Sequence, residues 1–281
     1  MRIDSHHHIW DLTVRPQTWM KGDELKPISR TILMNELEPE LVKANIDFTV
    51  IVQTVPLVDE TPEFLDLSIS HPKICAVVGW LDLESEDIRP QLEKYLSHPG
   101  GKKLVSIRDI AQDKADPNWL LRKDVIANIH RISEYGLTFD ILTRPPQLAA
   151  AVEMVKQSPN NTFVLDHISK PFIAKNEMQP WADQIKQIAS FENVSVKVSG
   201  LFTEASWSSW NNKTFSPYFE HILDSFTPAR MMFGSDWPVC LLAATYSQTI
   251  NLMEELTSEL TKSEQESFWS GTAKHFYRLE V

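Results

Sequence analysis

Short apolar segments alternate with longer amphipathic segments along the whole chain. Each apolar segment is at most seven residues long and rich in Val, Ile and Phe, and several are apolar at consecutive positions, which is typical of strands covered on both faces. We therefore predict eight strands. They are Ile3–His8, Phe48–Gln53, Ile74–Trp80, Leu104–Arg108, Leu137–Leu142, Phe163–His167, Val194–Ser199 and Met231–Phe233.

The segments between the strands carry helix signals. Two prolines precede Gln147–Gln157, which favours a helix that begins there. The segment Asn118–Tyr135 has apolar residues at helical spacing and is followed by a glycine, which is a common helix end. Ser263, with Glu266 three residues later, has the pattern of a capping box, so we predict that the last helix begins at Ser263.

Eight strand–helix units in a chain of 281 residues favour an α/β fold, and within that class a (β/α)8 TIM-type barrel over an open sheet. We expect one barrel domain that spans residues 1–281. The active sites of such barrels lie at the carboxyl ends of the strands. Polar residues that follow the predicted strands are therefore the candidates for chemistry.

Composition excludes several function classes. Twenty-seven basic and 38 acidic residues give a net charge of −11, which is unfavourable for binding nucleic acid or an anionic membrane. No glycine motif of a dinucleotide fold, a P-loop or a nucleophile elbow occurs. The amino terminus has no apolar core like that of a signal peptide, and Cys75 and Cys240 form no C-x-x-C motif. We expect a cytoplasmic protein with two buried, unpaired thiols.

The first predicted strand ends in three histidines. Side chains alternate along a strand, so His6 and His8 share one face and His7 takes the other. Two imidazoles on an inward face can bind one metal ion or flank a substrate carbonyl. The alternatives are an ordinary polar strand end and the remnant of a purification tag.

The sixth and eighth predicted strands also end in polar groups. His167 follows the sixth strand, where a satisfied structural histidine is the alternative to a functional one. Asp236 follows the eighth strand, where a carboxylate can act as a general base or a metal ligand. The alternative for Asp236 is the cap of the next helix, because aspartate is a good N-cap.

Two cations occur at predicted strand ends. Arg108 could bind a substrate oxygen, or it could form a structural ion pair. Lys197 lies between valines, so it either meets a carboxylate or faces the cavity, because a buried unpaired lysine is costly. The other candidates for binding a small-molecule substrate are Lys170, Trp10, Trp80 and Trp237.

Taken together, five motifs resemble the amidohydrolase superfamily. More narrowly, they resemble its sugar-lactonase branch, which includes L-fuconolactonases, L-rhamnonolactonases and 2-pyrone-4,6-dicarboxylate lactonases. The resemblance runs from about residue 3 to residue 279. The motifs are His6-x-His8, Asp166-His167-x-x-Lys170-Pro171, Lys197-Val198-Ser199-Gly200, Phe233-Gly234-Ser235-Asp236-Trp237-Pro238 and the terminal segment Gly271–Leu279.

The resemblance implies a distorted barrel that hydrolyses a cyclic ester. It maps His6, His8, His167 and Asp236 onto residues that bind a divalent metal in the wider superfamily. The fifth strand lacks the lysine that would bridge two metals, so the resemblance implies at most one divalent ion such as Zn²⁺. The lactonase branch also has members that work without a metal, and that alternative stays open.

Lactone hydrolysis needs an activated water, a stabilised oxyanion and a proton for the leaving alkoxide. We assign Asp236 as the general base, with His6, His8 and His167 polarising the carbonyl directly or through one metal ion. One alternative is a metal-dependent decarboxylase of an aromatic acid, in which Arg108 or Arg144 would bind the carboxylate. The other is a barrel that binds a ligand without catalysis. A homo-oligomer is compatible with each.

Overall fold

Eight strands run parallel, side by side and in chain order, in the computed structural model, which describes residues 1–281. Each lies within a segment predicted as a strand or extends one residue past it, as Asp109 does. The strands are β1 (Ile3–His7), β2 (Phe48–Val52), β3 (Ile74–Gly79), β4 (Leu104–Asp109), β5 (Thr138–Ile141), β6 (Phe163–Leu165), β7 (Val194–Val198) and β8 (Met231–Phe233).

The sheet closes on itself between β8 and β1. The backbone N–H of His8 donates to the carbonyl oxygen of Trp237 at 2.6 Å, and the N–H of Asp236 donates to the carbonyl oxygen of His6 at 2.8 Å. These bonds are made by residues just beyond the regular part of β8, so the barrel is nearly closed. The predicted (β/α)8 fold is confirmed.

Helices connect the strands and cover the outside of the barrel. They are α1 (Met34–Lys43), α2 (Glu60–Ser70), α3 (Arg89–Leu96), α4 (Lys123–Glu134), α5 (Pro145–Lys156), α6 (Trp181–Ala189), α7 (Leu201–Glu204), α8 (Asn212–Phe226), α9 (Tyr246–Leu256), α10 (Lys262–Glu266) and α11 (Thr272–Phe276).

Two helix predictions were wrong in detail. The segment Asn118–Tyr135 is not one helix, because Arg122 has an extended backbone (φ −62°, ψ 139°) that separates a short 3-10 turn from α4. The cap of α10 is Thr261 rather than Ser263. Thr261 and Glu264 form the capping box, two residues earlier than predicted.

The carboxyl-terminal segment closes the lower end of the barrel. Phe276 and Tyr277 pack against inward-facing Val50 and Val164. Thr138, the first residue of β5, donates its hydroxyl to the carbonyl oxygen of Phe276 at 2.8 Å. Since strands begin at this end, the opposite end, where the strands finish, is left for a site.

Both cysteines are free thiols, as predicted. Cys240 is buried, whereas Cys75 is only partly buried, so the expectation of two buried thiols holds for one of them. No helix of the structure is both long enough and apolar enough to cross a membrane.

Candidate active site

A cavity of about 370 Å³ opens at the carboxyl ends of the strands. Its wall combines ionisable groups with three indole rings. The ionisable side chains are His8, Arg108, Asp113, Arg144, His167, Lys170, Glu204 and Asp236, and the indoles belong to Trp10, Trp19 and Trp207.

The histidines of β1 divide between the two faces of the strand as predicted. The Nε2 atoms of His6 and His8 lie 3.1 Å apart inside the barrel, whereas His7 points outwards and bonds the hydroxyl of Thr49 at 3.0 Å. His8 Nδ1 donates to the carbonyl oxygen of Val52 at 2.7 Å. This bond leaves the lone pair of His8 on Nε2, which faces the site.

Asp236 lies in the turn that follows β8, with a left-handed backbone (φ 56°). Its Oδ1 lies 3.5 Å from His8 Nε2 and 3.9 Å from Nε2 of both His6 and His167. Burial raises the pKa of this carboxyl, but His167, His8 and Lys170 outweigh burial and hold the pKa below its usual value. Asp236 is therefore an anion at neutral pH.

His167 is placed by a turn rather than by a strand, which corrects the predicted extent of the sixth strand. β6 ends at Leu165, and the four residues His167–Lys170 all have positive φ. Side chains from neighbouring elements hold this turn. Ser199 Oγ lies 2.8 Å from His167 Nδ1, and Trp181 donates to the carbonyl oxygen of Ile168 at 2.7 Å.

Lys197 does not reach the cavity and instead lies fully buried in the barrel interior. Its Nζ lies 2.6 Å from Asp140 Oδ2, 3.0 Å from Asp166 Oδ1 and 3.2 Å from His6 Nδ1. Of the two roles considered for Lys197, the structure shows the pairing with carboxylates. Lys197 thus lies against Nδ1 of His6, and Nε2 is the ring nitrogen that faces Asp236.

Arg108 spans the interior and the cavity. One guanidinium nitrogen donates to Asp166 Oδ2 at 2.9 Å, and a second donates to the backbone carbonyl of Gln53. The guanidinium also forms part of the cavity wall. Arg108 therefore forms the structural ion pair and also lines the site.

The remaining candidates for substrate binding divide into two groups. Trp10 and Lys170 line the cavity. Trp80 and Trp237 are buried elsewhere and do not contribute to its wall. Of the three indoles predicted to bind substrate, only that of Trp10 faces the site.

Sequence reasoning missed Glu204, Trp19 and Trp207. Glu204 ends the short helix α7, only four residues after Gly200, so its position close behind a strand end was the available signal. Trp19 and Trp207 lie in connecting segments without a regular pattern, and nothing local indicates that they turn towards the cavity.

The side chains at the centre of the site fit one divalent ion. His6, His167 and Asp236 each offer a ligand atom, and these atoms lie within 4.8 Å of one another. Neutral imidazoles and an ionised carboxylate are the ligands that zinc prefers. Burial lowers the pKa of His167 to about 3 and that of His6 well below its usual value, so both rings are neutral at pH 7.

Comparison with known proteins agrees with the barrel and its strand-end residues. The family model described as Amidohydrolase matches residues 3–279. The chain belongs to the amidohydrolase family. This membership confirms the resemblance carried by the sequence motifs.

Two relatives cover almost the whole chain. An L-fucono-1,5-lactonase of Burkholderia ambifaria is 32% identical over 99% of this chain and 96% of its own length. The crystal structure of an amidohydrolase from Burkholderia multivorans with bound zinc is 32% identical, has a TM-score of 0.93 and covers 99% of both chains. A probable 2-pyrone-4,6-dicarboxylic acid hydrolase from Acinetobacter baumannii, 14% identical over 99% of both chains, shares the fold with a TM-score of 0.81.

Proposed function

We propose that this amidohydrolase opens the ring of a neutral sugar lactone by attack of water on the ester carbonyl. The observation that carries the proposal is the Asp236 carboxylate, ionised and surrounded by neutral imidazoles at the carboxyl end of the barrel. The name of the Burkholderia ambifaria relative supports the same class of substrate.

Asp236 is the general base of the proposed reaction. It takes a proton from water as the water oxygen bonds to the lactone carbonyl carbon, which gives a tetrahedral oxyanion. When the carbonyl reforms, the bond to the ring oxygen breaks, and Asp236 returns the proton to the leaving alkoxide. The product is an open-chain hydroxy acid. Asp236 is ionised again as soon as it has protonated the alkoxide, and the acid product loses its own proton to solvent.

His167 and Arg108 are placed to stabilise the oxyanion by donating hydrogen bonds. If Ser199 donates to His167 Nδ1, the proton of the ring lies on Nε2, on the side of Asp236. Arg108 adds a fixed positive charge in the cavity wall. A divalent ion held by His6, His167 and Asp236 would take the place of this donor. The proton of His167 would then lie on Nδ1, facing Ser199, and the ion would supply Lewis-acid polarisation of the same carbonyl.

A neutral substrate agrees with the charges of the cavity. The wall carries three cations and three carboxylates, so it has no excess positive charge for a dicarboxylate. The indoles of Trp10, Trp19 and Trp207 offer apolar faces against which the C–H faces of a sugar ring can pack.

The test of this function is Asp236→Asn, measured as acid release from a panel of aldonolactones. The variant keeps the shape of the side chain but removes the proton acceptor. Because a general base contributes roughly 10²–10⁴-fold to a rate, we expect kcat to fall at least about 100-fold while the circular dichroism spectrum is unchanged.

The matched control is Asp224→Asn on the exposed side of α8, which should leave turnover unchanged. Near wild-type turnover of Asp236→Asn would contradict the mechanism and leave Asp236 with the role of a helix cap. Release of bicarbonate from aromatic acids by a wild type that opens no lactone would contradict the proposed reaction.

A further inference from the structure

We propose that Glu204 selects against substrates that carry a carboxylate, because it pairs with Lys170 in a wall that also contains Arg144, and these two cations would otherwise bind that carboxylate. The proposal rests on the proposed lactonase function and adds to it a residue that selects uncharged, polyhydroxylated lactones. Three observations carry it: the position of Glu204, its cationic neighbours and the charge balance of the wall.

The Glu204 side chain lies in the wall of the cavity and is mostly buried. α7 begins directly after the left-handed Gly200, and its last residue brings the carboxylate into the wall beside Thr203. The side chain is only 17% exposed. A carboxylate this deep in a wall is costly unless it has partners.

The partners of Glu204 are cations of the same wall. Lys170 Nζ lies 3.7 Å from Glu204 Oε1, and the Lys170 side chain is itself 14% exposed. Burial raises the pKa of Glu204, and Lys170 and then Arg144 oppose that increase, so both cations act on this carboxylate. Arg144 lines the same wall and forms no ion pair of its own.

The charge balance of the wall depends on Glu204. The cations Arg108, Lys170 and Arg144 face three carboxylates, including Asp236 and Glu204. Arg108 is already engaged by Asp166. Without the charge of Glu204, the wall would have one cation in excess, and Lys170 would lose its ion-pair partner beside Arg144, which is the kind of site that binds carboxylates.

The ligand chemistry follows from this arrangement. A carboxylate with two oxygens accepts hydrogen bonds from two hydroxyls of a sugar, and an ammonium group beside it donates to a third oxygen. A carboxylate on the substrate would be repelled by Glu204 and would have to displace it from Lys170. Glu204 therefore favours the polyol and disfavours the acid.

The test compares Glu204→Gln with the wild type on two lactones that differ only at the end remote from the ester. Galactono-1,4-lactone has a terminal CH₂OH group, and galactaro-1,4-lactone has a carboxylate there. Hydrogen bonds to a charged group stabilise enough that we expect kcat/KM for the neutral lactone to fall about 10- to 100-fold. For the charged lactone we expect a rise of about 10-fold.

Two controls separate specificity from general damage. δ-Valerolactone has no hydroxyl groups, so its turnover by Glu204→Gln should stay within about 3-fold of the wild-type value. Glu220→Gln on the exposed side of α8 removes the same charge away from the cavity and should leave the ratio of the two galactose-derived lactones unchanged.

If the wild type is active and a folded Glu204→Gln variant shows the same ratio of kcat/KM values for the two lactones, the role of Glu204 is refuted. The lactonase function would stand. A wild type that hydrolyses none of the three lactones would instead refute the lactonase function. If Glu204→Gln does not fold, Lys170→Met gives the reverse test. It leaves Glu204 without its cation, so discrimination against galactaro-1,4-lactone should increase at least about 3-fold, and an unchanged ratio overturns the proposal.

Discussion

Burial keeps the imidazoles around Asp236 uncharged. The pKa of His8 is lowered by burial, that of His167 falls to about 3, and that of His6 lies well below its usual range. The cations in contact with His6 are Arg108 and Lys197, and both are paired with Asp166. The only group at the centre of the site that carries a negative charge and touches the cavity is Asp236.

This charge state predicts how activity depends on pH. The pKa of Asp236 lies below its usual value, so the base stays deprotonated as the pH falls, until the pH drops below about 4. We expect kcat/KM for δ-valerolactone, which has no hydroxyls to contact Glu204, to be constant from about pH 8 to about pH 5 and to decline only below about pH 4. The measurement is a pH–rate profile on this lactone. A decline centred near about pH 6.5 would contradict both Asp236 as the base and the neutral state of the histidines.

At the scale of elements, two left-handed segments place the catalytic groups beyond the strands. β6 ends before His167, and Gly200 (φ 66°) separates β7 from α7. A Cβ atom at Gly200 would lie 2.8 Å from His167 Nδ1. Gly200 therefore permits both the left-handed turn and the close approach of the His167 imidazole.

Gly200→Ala should damage the site as well as the backbone. The left-handed conformation costs an L-residue about 1–2 kcal/mol, and the added methyl group must displace His167. We expect the free energy of unfolding to fall by at least about 1 kcal/mol and kcat for lactone hydrolysis to fall at least about 10-fold. Urea unfolding and steady-state kinetics measure the two effects.

Gly136→Ala is the matched control for the cost of a left-handed backbone. Gly136 also has a positive φ (74°), but no atom lies within 4 Å of the position of its Cβ. This variant should lose stability in the same range and keep its activity. If both variants keep their activity, Gly200 has no role in positioning His167.

At the scale of the whole molecule, a buried ionic network joins the site to the lower end of the barrel. Tyr277, near the carboxyl terminus, donates its hydroxyl to Asp140 Oδ2 at 2.7 Å, and Asp140 pairs with Lys197. Lys197 in turn contacts Asp166 and His6. The network thus runs from the terminal segment through β5, β7 and the turn after β6 to β1.

Lys197→Met should destabilise the whole protein. Methionine fills a similar volume, but Asp140 and Asp166 would share the interior with Arg108 as the only cation of the network. Breaking a buried ion pair leaves an uncompensated charge, which costs about 3–5 kcal/mol. Urea unfolding followed by tryptophan fluorescence measures this loss.

The double variant Lys197→Met/Asp140→Asn restores the balance of charge in the network. We expect it to recover at least about half of the lost free energy of unfolding, because the remaining Arg108–Asp166 pair is neutral overall. If the double variant is no more stable than Lys197→Met alone, charge compensation is not what Lys197 contributes.

The sequence by itself determined the barrel and the identity of its central residues. Strand positions follow from short apolar segments, because strands covered on both faces need apolar side chains at consecutive positions. The alternation of side chains placed His6 and His8 together and turned His7 away, which the structure shows. These features depend on local periodicity, which can be read from the order of apolar and polar residues alone.

Tertiary structure decided which polar groups reach the cavity. Lys197 and Arg108 both lie in strands, yet only Arg108 contributes to the wall, because Asp140 and Asp166 hold Lys197 in the interior. Glu204 reaches the wall through a left-handed turn and finds Lys170 there. Whether a charged side chain reaches the cavity depends on partners that lie far away in the chain. A local sequence pattern does not indicate which partner a buried charge will contact.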